Sequence, residues 1–138
     1  MKYFFIKGAI GLFFSCHTFK KSKVNTWISL FDGRTLNGWK ANENIGTFTV
    51  ENGNIVVNGD RSHLFYNGPY MKHDFKDFEM EAKVMTTAGS NSGIFFHTSF
   101  QDAGWPKKEY KVQVNNSHID WRRTGSFYDV QDVKDPVC

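Results

Sequence analysis

From Val24 onward the chain has no stretch with the 3.6-residue apolar spacing of a sustained amphipathic helix, whereas short alternating runs bounded by Gly, Asn and Asp recur throughout. A chain of this kind must bury its apolar residues through strands, so the expected class is all-β. Thr47 to Glu51 and Asn54 to Asn58 flank Asn52-Gly53, a pair that accepts the positive φ angles of a tight hairpin. Trp27 to Phe31 reads as a first strand closed by the turn Asp32 to Thr35, with Trp39 as a later anchor.

The longest expected strand is Asp77 to Thr86, in which Phe78, Met80, Ala82 and Val84 face a core and Glu79, Glu81, Lys83 and Met85 face water. Gly93 to Ser99 is apolar on both faces at first, as in a central strand of a two-sheet sandwich. Glu109 to Asn115 alternates again, with Tyr110, Val112 and Val114 on one side and Glu109, Lys111, Gln113 and Asn115 on the other. At 138 residues, 40% hydrophobic and 17% aromatic, the chain has material for one domain and one core.

The net charge of +3 is misleading as a guide to partners. Residues 1–23 hold Lys2, Lys7, Lys20, Lys21 and Lys23 and no acid, leaving twelve bases against fourteen acids in the remainder. A slightly acidic domain offers no basic groove for nucleic acid. The basic segment itself reads as an export signal: a charged start, the apolar run Gly8 to Phe14, too short to span a bilayer, then Ser15-Cys16. Leu12 to Cys16 resembles a relaxed bacterial lipoprotein box, although a bulky Phe14 stands where a small residue is usual; an ordinary cleaved signal is the alternative. The expected division is therefore 1–23 as signal plus linker and 24–138 as the domain. The expected location is exported, periplasmic or on the outer membrane of a bacterium, with contact to the membrane only through a lipid on Cys16. Cys138 is then the one remaining cysteine, so no internal disulfide staples the domain.

In a curved sandwich the concave face of one sheet is a groove for an extended ligand, and sugars need planar polar groups for their hydroxyls and aromatic faces for their C–H surfaces. Strands carrying His97 and Ser99, and Lys111, Gln113 and Asn115, line such a groove if they are neighbours; the alternative is a solvated sheet face.

Five blocks then carry a resemblance: Leu30 to Trp39 (LFDGRTLNGW), Asp77 to Met80, Asn91 to Phe96 (NSGIFF), Tyr110 to Gln113 and Thr124 to Tyr128 (TGSFY). Their order and spacing, from about Trp27 to about Val133, resemble the 3-keto-disaccharide hydrolase domain family. The resemblance implies a concanavalin A-like, two-sheet jelly-roll sandwich in an exported bacterial protein, acting on glycosides already oxidised to a ketone at C3. A 3-keto group acidifies the C2 proton, so a modest base removes it, the C1 oxygen leaves by elimination, and water adds to the resulting glucal. Such a site needs a base near C2, a donor for the C3 oxygen and a proton source for the leaving group.

His97, on the strand after the Asn91-Ser92-Gly93 block, is one expected proton shuttle, and a histidine held in the sheet is its alternative. His118 and Asp120, two residues apart in a polar loop, are the next acid/base candidates; an Asx-rich turn is theirs. Lys111 or Arg123 would stabilise an enolate oxygen, Gln113 and Asn115 would fix hydroxyls, and Tyr128 and Trp105 would lie at the sugar. Lys111 departs from the family pattern, since many relatives have Glu in that Tyr-Glu-x-Gln block, and family members continue with further strands past the Tyr128 block where this sequence stops at Cys138. A sandwich incomplete at its C-terminus is therefore expected.

Other chemistries find no support in the sequence. Glu79-Met80-Glu81 is only a partial likeness to the Glu-x-Asp-x-Glu strand of sugar hydrolases on this fold. There is no phosphate loop, dinucleotide fingerprint or nucleophile elbow, and none of His17, His63, His73, His97 and His118 has metal-ligand spacing, so neither metal nor cofactor is called for. The leading reading is a carbohydrate-active domain cleaving 3-keto-glycosides; the rivals are a non-catalytic glycan-binding jelly roll and a structural or adhesive surface domain.

Overall fold

A computed structural model describes residues 27–107 and 109–135; the expected signal segment with Cys16, and Cys138, lie outside the described residues. Among the described residues six strands form three antiparallel ladders: β1 (Trp39–Ala41) with β4 (Leu64–Tyr66), β2 (Phe48–Glu51) with β3 (Asn54–Val57), and β5 (Ser92–Phe96) with β6 (Tyr110–Val114). Two short 3-10 turns, Ile45–Thr47 and Tyr70–His73, are the helical elements among the described residues. The chain is all-β, of the jelly-roll sandwich class.

The β2–β3 hairpin forms as expected, with Asn52 at φ 49° and Gly53 at φ 79°, both left-handed as the tight turn demands. β5 is shorter than the expected Gly93 to Ser99, because His97 turns to φ 54° and takes the chain out of the ladder. β6 is interior. β5 lies on one edge; on the other, Tyr128 N–H donates to the Lys111 carbonyl at 3.0 Å and Gln113 N–H to the Ser126 carbonyl at 2.9 Å. The strand also bridges to Phe127 through Val112.

Two expected strands are corrected. Asp77 to Thr86 joins no ladder, and Phe78, Met80 and Val84, read as core, are 41%, 49% and 50% exposed. Alternation supplies a face, but a strand also needs a partner for its backbone groups, and none of the described residues pairs with this segment. Trp27 to Phe31 is likewise unpaired; Leu30 is held by a side chain instead, its carbonyl accepting from Trp39 Nε1 at 2.9 Å.

The turn after it is built on Asp32. Its Oδ1 accepts from the backbone N–H groups of Arg34 and Thr35, both at 2.7 Å, and its Oδ2 from Thr35 Oγ1 at 2.7 Å. The Thr35 hydroxyl and the two N–H groups hold the carboxyl at a pKa of about 2, against an ordinary 3.8. A lowered carboxyl pKa gives a turn that is fully held above the ordinary value and released as pH falls through the lowered one. Amide hydrogen exchange at Arg34 and Thr35 is therefore expected to accelerate as pH falls from about 4 toward about 2, beyond the intrinsic pH trend, and Asp32→Ala is expected to remove that step.

An aromatic chain joins the β1–β4 ladder to the β5–β6 ladder. Trp39 meets Tyr66 (5.3 Å between centroids), Tyr66 meets Phe75 (5.9 Å), Phe75 meets Phe78 (5.9 Å) and Phe78 meets Phe96 (6.3 Å). Phe96 in turn stacks with Tyr110 at 5.6 Å and with Phe127 at 6.0 Å. Phe96 and Tyr110 lie on the Ile94/Phe96/Tyr110/Val112 face of the β5–β6 ladder, which leaves the opposite face, carrying Gly93, Phe95, Lys111 and Gln113, to other groups.

Candidate functional site

The Gly93/Phe95/Lys111 face is built around a glycine. A Cβ at Gly93 would collide with Lys111 Cε and stand 3.0 Å from its Cγ and 3.1 Å from the Val112 carbonyl, so the bare backbone of β5 is the shelf on which the Lys111 stem lies. The stem delivers Nζ to a point 5.5 Å from the Phe95 ring centroid and 4.6 Å from that of Tyr128. Both contacts are cation–π in character. The lysine is half-buried, and burial pulls its pKa below the ordinary value, opposed by the charges of Asp120 and Glu109 and assisted by that of Arg122. Gly93→Ala is expected to displace the stem at a cost of about 1–3 kcal/mol, read by chemical denaturation, and to lower any Lys111-dependent activity with it.

Phe95 continues the face to a buried histidine. His63 crosses Phe95 edge-on at 5.3 Å and Trp105 at 5.2 Å, and its Nδ1 has no hydrogen-bond partner. Burial, opposed by Glu43, lowers the His63 pKa, so the imidazole is neutral near pH 7. Glu43 itself is paired with Arg61 at 2.9 Å. Trp105, 59% exposed, forms the rim beyond His63. Glu109, whose burial raises its carboxyl pKa, leaves Oε2 buried and without a partner.

On the other side of Lys111 a polar network replaces the expected wet face. Gln113 is fully buried; its Nε2 donates to Asn91 Oδ1 at 2.7 Å while its Oε1 is unpartnered. Asn91 Nδ2 meets His118 Nδ1 at 3.2 Å, and that same nitrogen accepts from the Asp120 N–H at 3.0 Å. A backbone donor at Nδ1 fixes the tautomer with hydrogen on Nε2. Asp120 accepts from the Arg122 N–H at 3.0 Å, and the Arg122 guanidinium also lies over Tyr128, 4.3 Å from its ring centroid, while pairing with Asp129 at 2.5 Å. Arg122 Nε also lies 3.4 Å from Asp132, close but poorly aligned for a hydrogen bond.

The fold thus brings Lys111, Tyr128 and Trp105 to one face of the ladder, with Asp120 and His118 beside it. His97 is not among them: it leaves β5 on the aromatic side, 5.6 Å from Phe96 and 6.2 Å from Tyr110. Asn115 and Arg123, expected at the sugar, belong to the framework. Asn115 has no exposed surface; its Nδ2 donates to the carbonyls of Asp120 (2.9 Å) and Arg122 (2.8 Å), and its Oδ1 accepts from the His118 N–H at 2.9 Å. Arg123 Nη1 donates to the carbonyls of His118 (2.9 Å) and Asp120 (2.7 Å). With its amide groups committed and no surface, Asn115 has nothing to offer a ligand. Gln113 is equally enclosed.

Sequence reasoning missed His63, Phe95 and Arg122 as site residues. Gly93 and Asn91 stood in a motif, but their tasks, making room for the Lys111 stem and linking Gln113 to His118, become visible only when β5 and β6 pair. Among the described residues no cluster of three His, Cys, Asp or Glu side chains could hold a metal ion.

An aromatic-walled, mixed-charge face on an antiparallel ladder is the kind of surface that sugars occupy. Comparison with known proteins narrows this: the family model described as the 3-keto-alpha-glucoside-1,2-lyase-like domain matches residues 26–137, and the chain belongs to that family. A 3-keto-disaccharide hydrolase of Bacteroides thetaiotaomicron is 31% identical over 130 residues, covering 75% of this chain and 45% of that protein. The chain spans about half the length of this curated relative. No solved structure matches.

Proposed function

We propose that the chain acts on glycosides bearing a ketone at C3 and breaks the glycosidic bond by elimination from C2 followed by hydration. The observation that carries the reading is Lys111, laid over Gly93 and held between Phe95 and Tyr128, a cation on an aromatic face where a polarised carbonyl oxygen can meet it. In this reading the sugar ring lies along the face from Trp105 to Tyr128 with its C3 carbonyl at Lys111. Asp120, whose negative charge acts on Lys111, takes the C2 proton, and His118, with hydrogen on Nε2, donates to the oxygen of the leaving group. The His118–Asn91–Gln113 chain keeps that imidazole oriented. The sequence of residues 1–23 supports export, with lipidation at Cys16 as the anchor.

A binding role without turnover is favoured by one feature, the exposure of Trp105 at the rim, which suits a platform for a sugar's C–H face. One assay separates the two. Incubation with an aryl 3-keto-glucoside is expected to release the aglycone, while the same glucoside with a C3 hydroxyl is inert. Binding of the keto sugar with no release would leave the platform reading in place of the enzyme.

A further inference from the structure

Lys111 is held in a way that charge stabilisation alone does not require. A cation meant to neutralise an oxygen is well served by an ion pair that holds it in place, yet among the described residues Nζ has no hydrogen bond and no salt bridge, and its flanking groups are the Phe95 and Tyr128 rings. Gly93 clears the path of the stem, and two rings flank the tip. An amine that is desolvated and unpaired is a nucleophile, and a ketone is the group with which such an amine forms a reversible carbon–nitrogen double bond.

We propose that Lys111 condenses with the C3 ketone of the substrate to form a protonated Schiff base, so that catalysis on this face is covalent. The inference rests on the 3-keto-glycoside reading above and deepens it. The Nζ lone pair forms a bond to C3 while the ketone oxygen takes up a proton and becomes a hydroxyl; Nζ then gives up one of its protons, the hydroxyl takes up a second and leaves as water, and the C=N bond carries the positive charge. Loss of the C2 proton to the base gives an enamine, whose electrons expel the C1 oxygen, protonated as it departs. Water adds at C1, C2 regains a proton, and a second water releases the ketone and the free amine. One water leaves and two enter, which is net hydrolysis. Asp120 and Glu109 favour the iminium charge, while burial and Arg122 lower the affinity of the resting amine for its proton.

The test is trapping. The full chain is incubated with an aryl 3-keto-glucoside and sodium borohydride, then analysed by intact mass and peptide mapping, with aglycone release followed in parallel without borohydride. A single added sugar unit is expected on the peptide containing Lys111, absent with the C3-hydroxyl glucoside, and absent in Lys111→Arg and Lys111→Gln. Arg keeps the charge between the rings and Gln does not, so loss of the adduct in both does not depend on one substitution folding well. No adduct, or an adduct that persists in both variants, overturns the Schiff base. Release without an adduct overturns it too while leaving the 3-keto-glycoside reading intact. An adduct without release upholds it and sinks the cleavage reading.

Discussion

Asn115→Ala is expected to destabilise the domain by about 3–5 kcal/mol, a large share of the roughly 5–15 kcal/mol that holds a domain of this size together. The magnitude follows from the partners. The side chain is fully buried and closes the 115–124 loop from inside, donating to two backbone carbonyls and accepting from the His118 N–H. Alanine removes all three bonds and leaves the Arg122 carbonyl and the His118 N–H without their partner, at about 1–3 kcal/mol each, while the Asp120 carbonyl keeps Arg123 Nη1. Asn115→Asp is a sharper probe than it looks. It keeps the acceptor for His118 but turns an oxygen toward the carbonyls of Asp120 and Arg122, so it is expected to be as damaging as alanine. Urea unfolding measures both variants. A loss below about 1 kcal/mol would mean that water replaces the amide easily and that the loop is not organised from this residue.

The second large effect is on activity. Lys111→Met is expected to lower aglycone release by about 10²–10³-fold, the range seen when one group that stabilises developing charge is removed. Methionine is close to the lysine stem in length and apolar, so it fills the space over Gly93 between Phe95 and Tyr128 without burying a charge. Stability is therefore expected to hold or rise while activity falls, a combination that a merely structural lysine does not produce. The pH dependence has a definite sign. Burial lowers the Lys111 pKa in the folded state, so between that value and the ordinary 10.5 the unfolded chain binds more protons. Wild-type stability accordingly rises with pH relative to Lys111→Met across this window, and the difference between them levels off above 10.5.

What could be read before the structure follows the range over which each signal acts. The hairpin of β2 and β3 is written in adjacent residues, Asn52-Gly53 with alternation on both sides, and it forms with that turn at its tip. β5 and β6 were legible as strands because their composition leaves little else. Asp77 to Thr86 has the most regular alternation in the chain and yet pairs with no described residue, since alternation says which way side chains point and not what lies alongside. The polar side of β6 shows the same limit. Gln113 and Asn115 alternate with valines as a wet face would, but residues 116–128 return over them and bury both. His63 carried no local signal; it enters through the β1–β4 ladder, and its packing against Phe95 and Trp105 is tertiary. Lys111 and Tyr128 were named from motif blocks, and the hydrogen bond from the Tyr128 N–H to the Lys111 carbonyl is what makes them neighbours.

The most direct test of the proposed chemistry is the fate of the hydrogen at C2. The protein is mixed with an aryl 3-keto-glucoside in D₂O and the released sugar is examined by NMR at early times, before free sugar exchanges on its own. Elimination and hydration on the Lys111 face place one deuterium at C2 of every sugar released, and Lys111→Met slows the appearance of released, labelled sugar by the same factor of about 10²–10³. Release of a sugar that keeps its original C2 proton would mean that the bond breaks at C1 without the ketone's help, and would contradict the account at its centre.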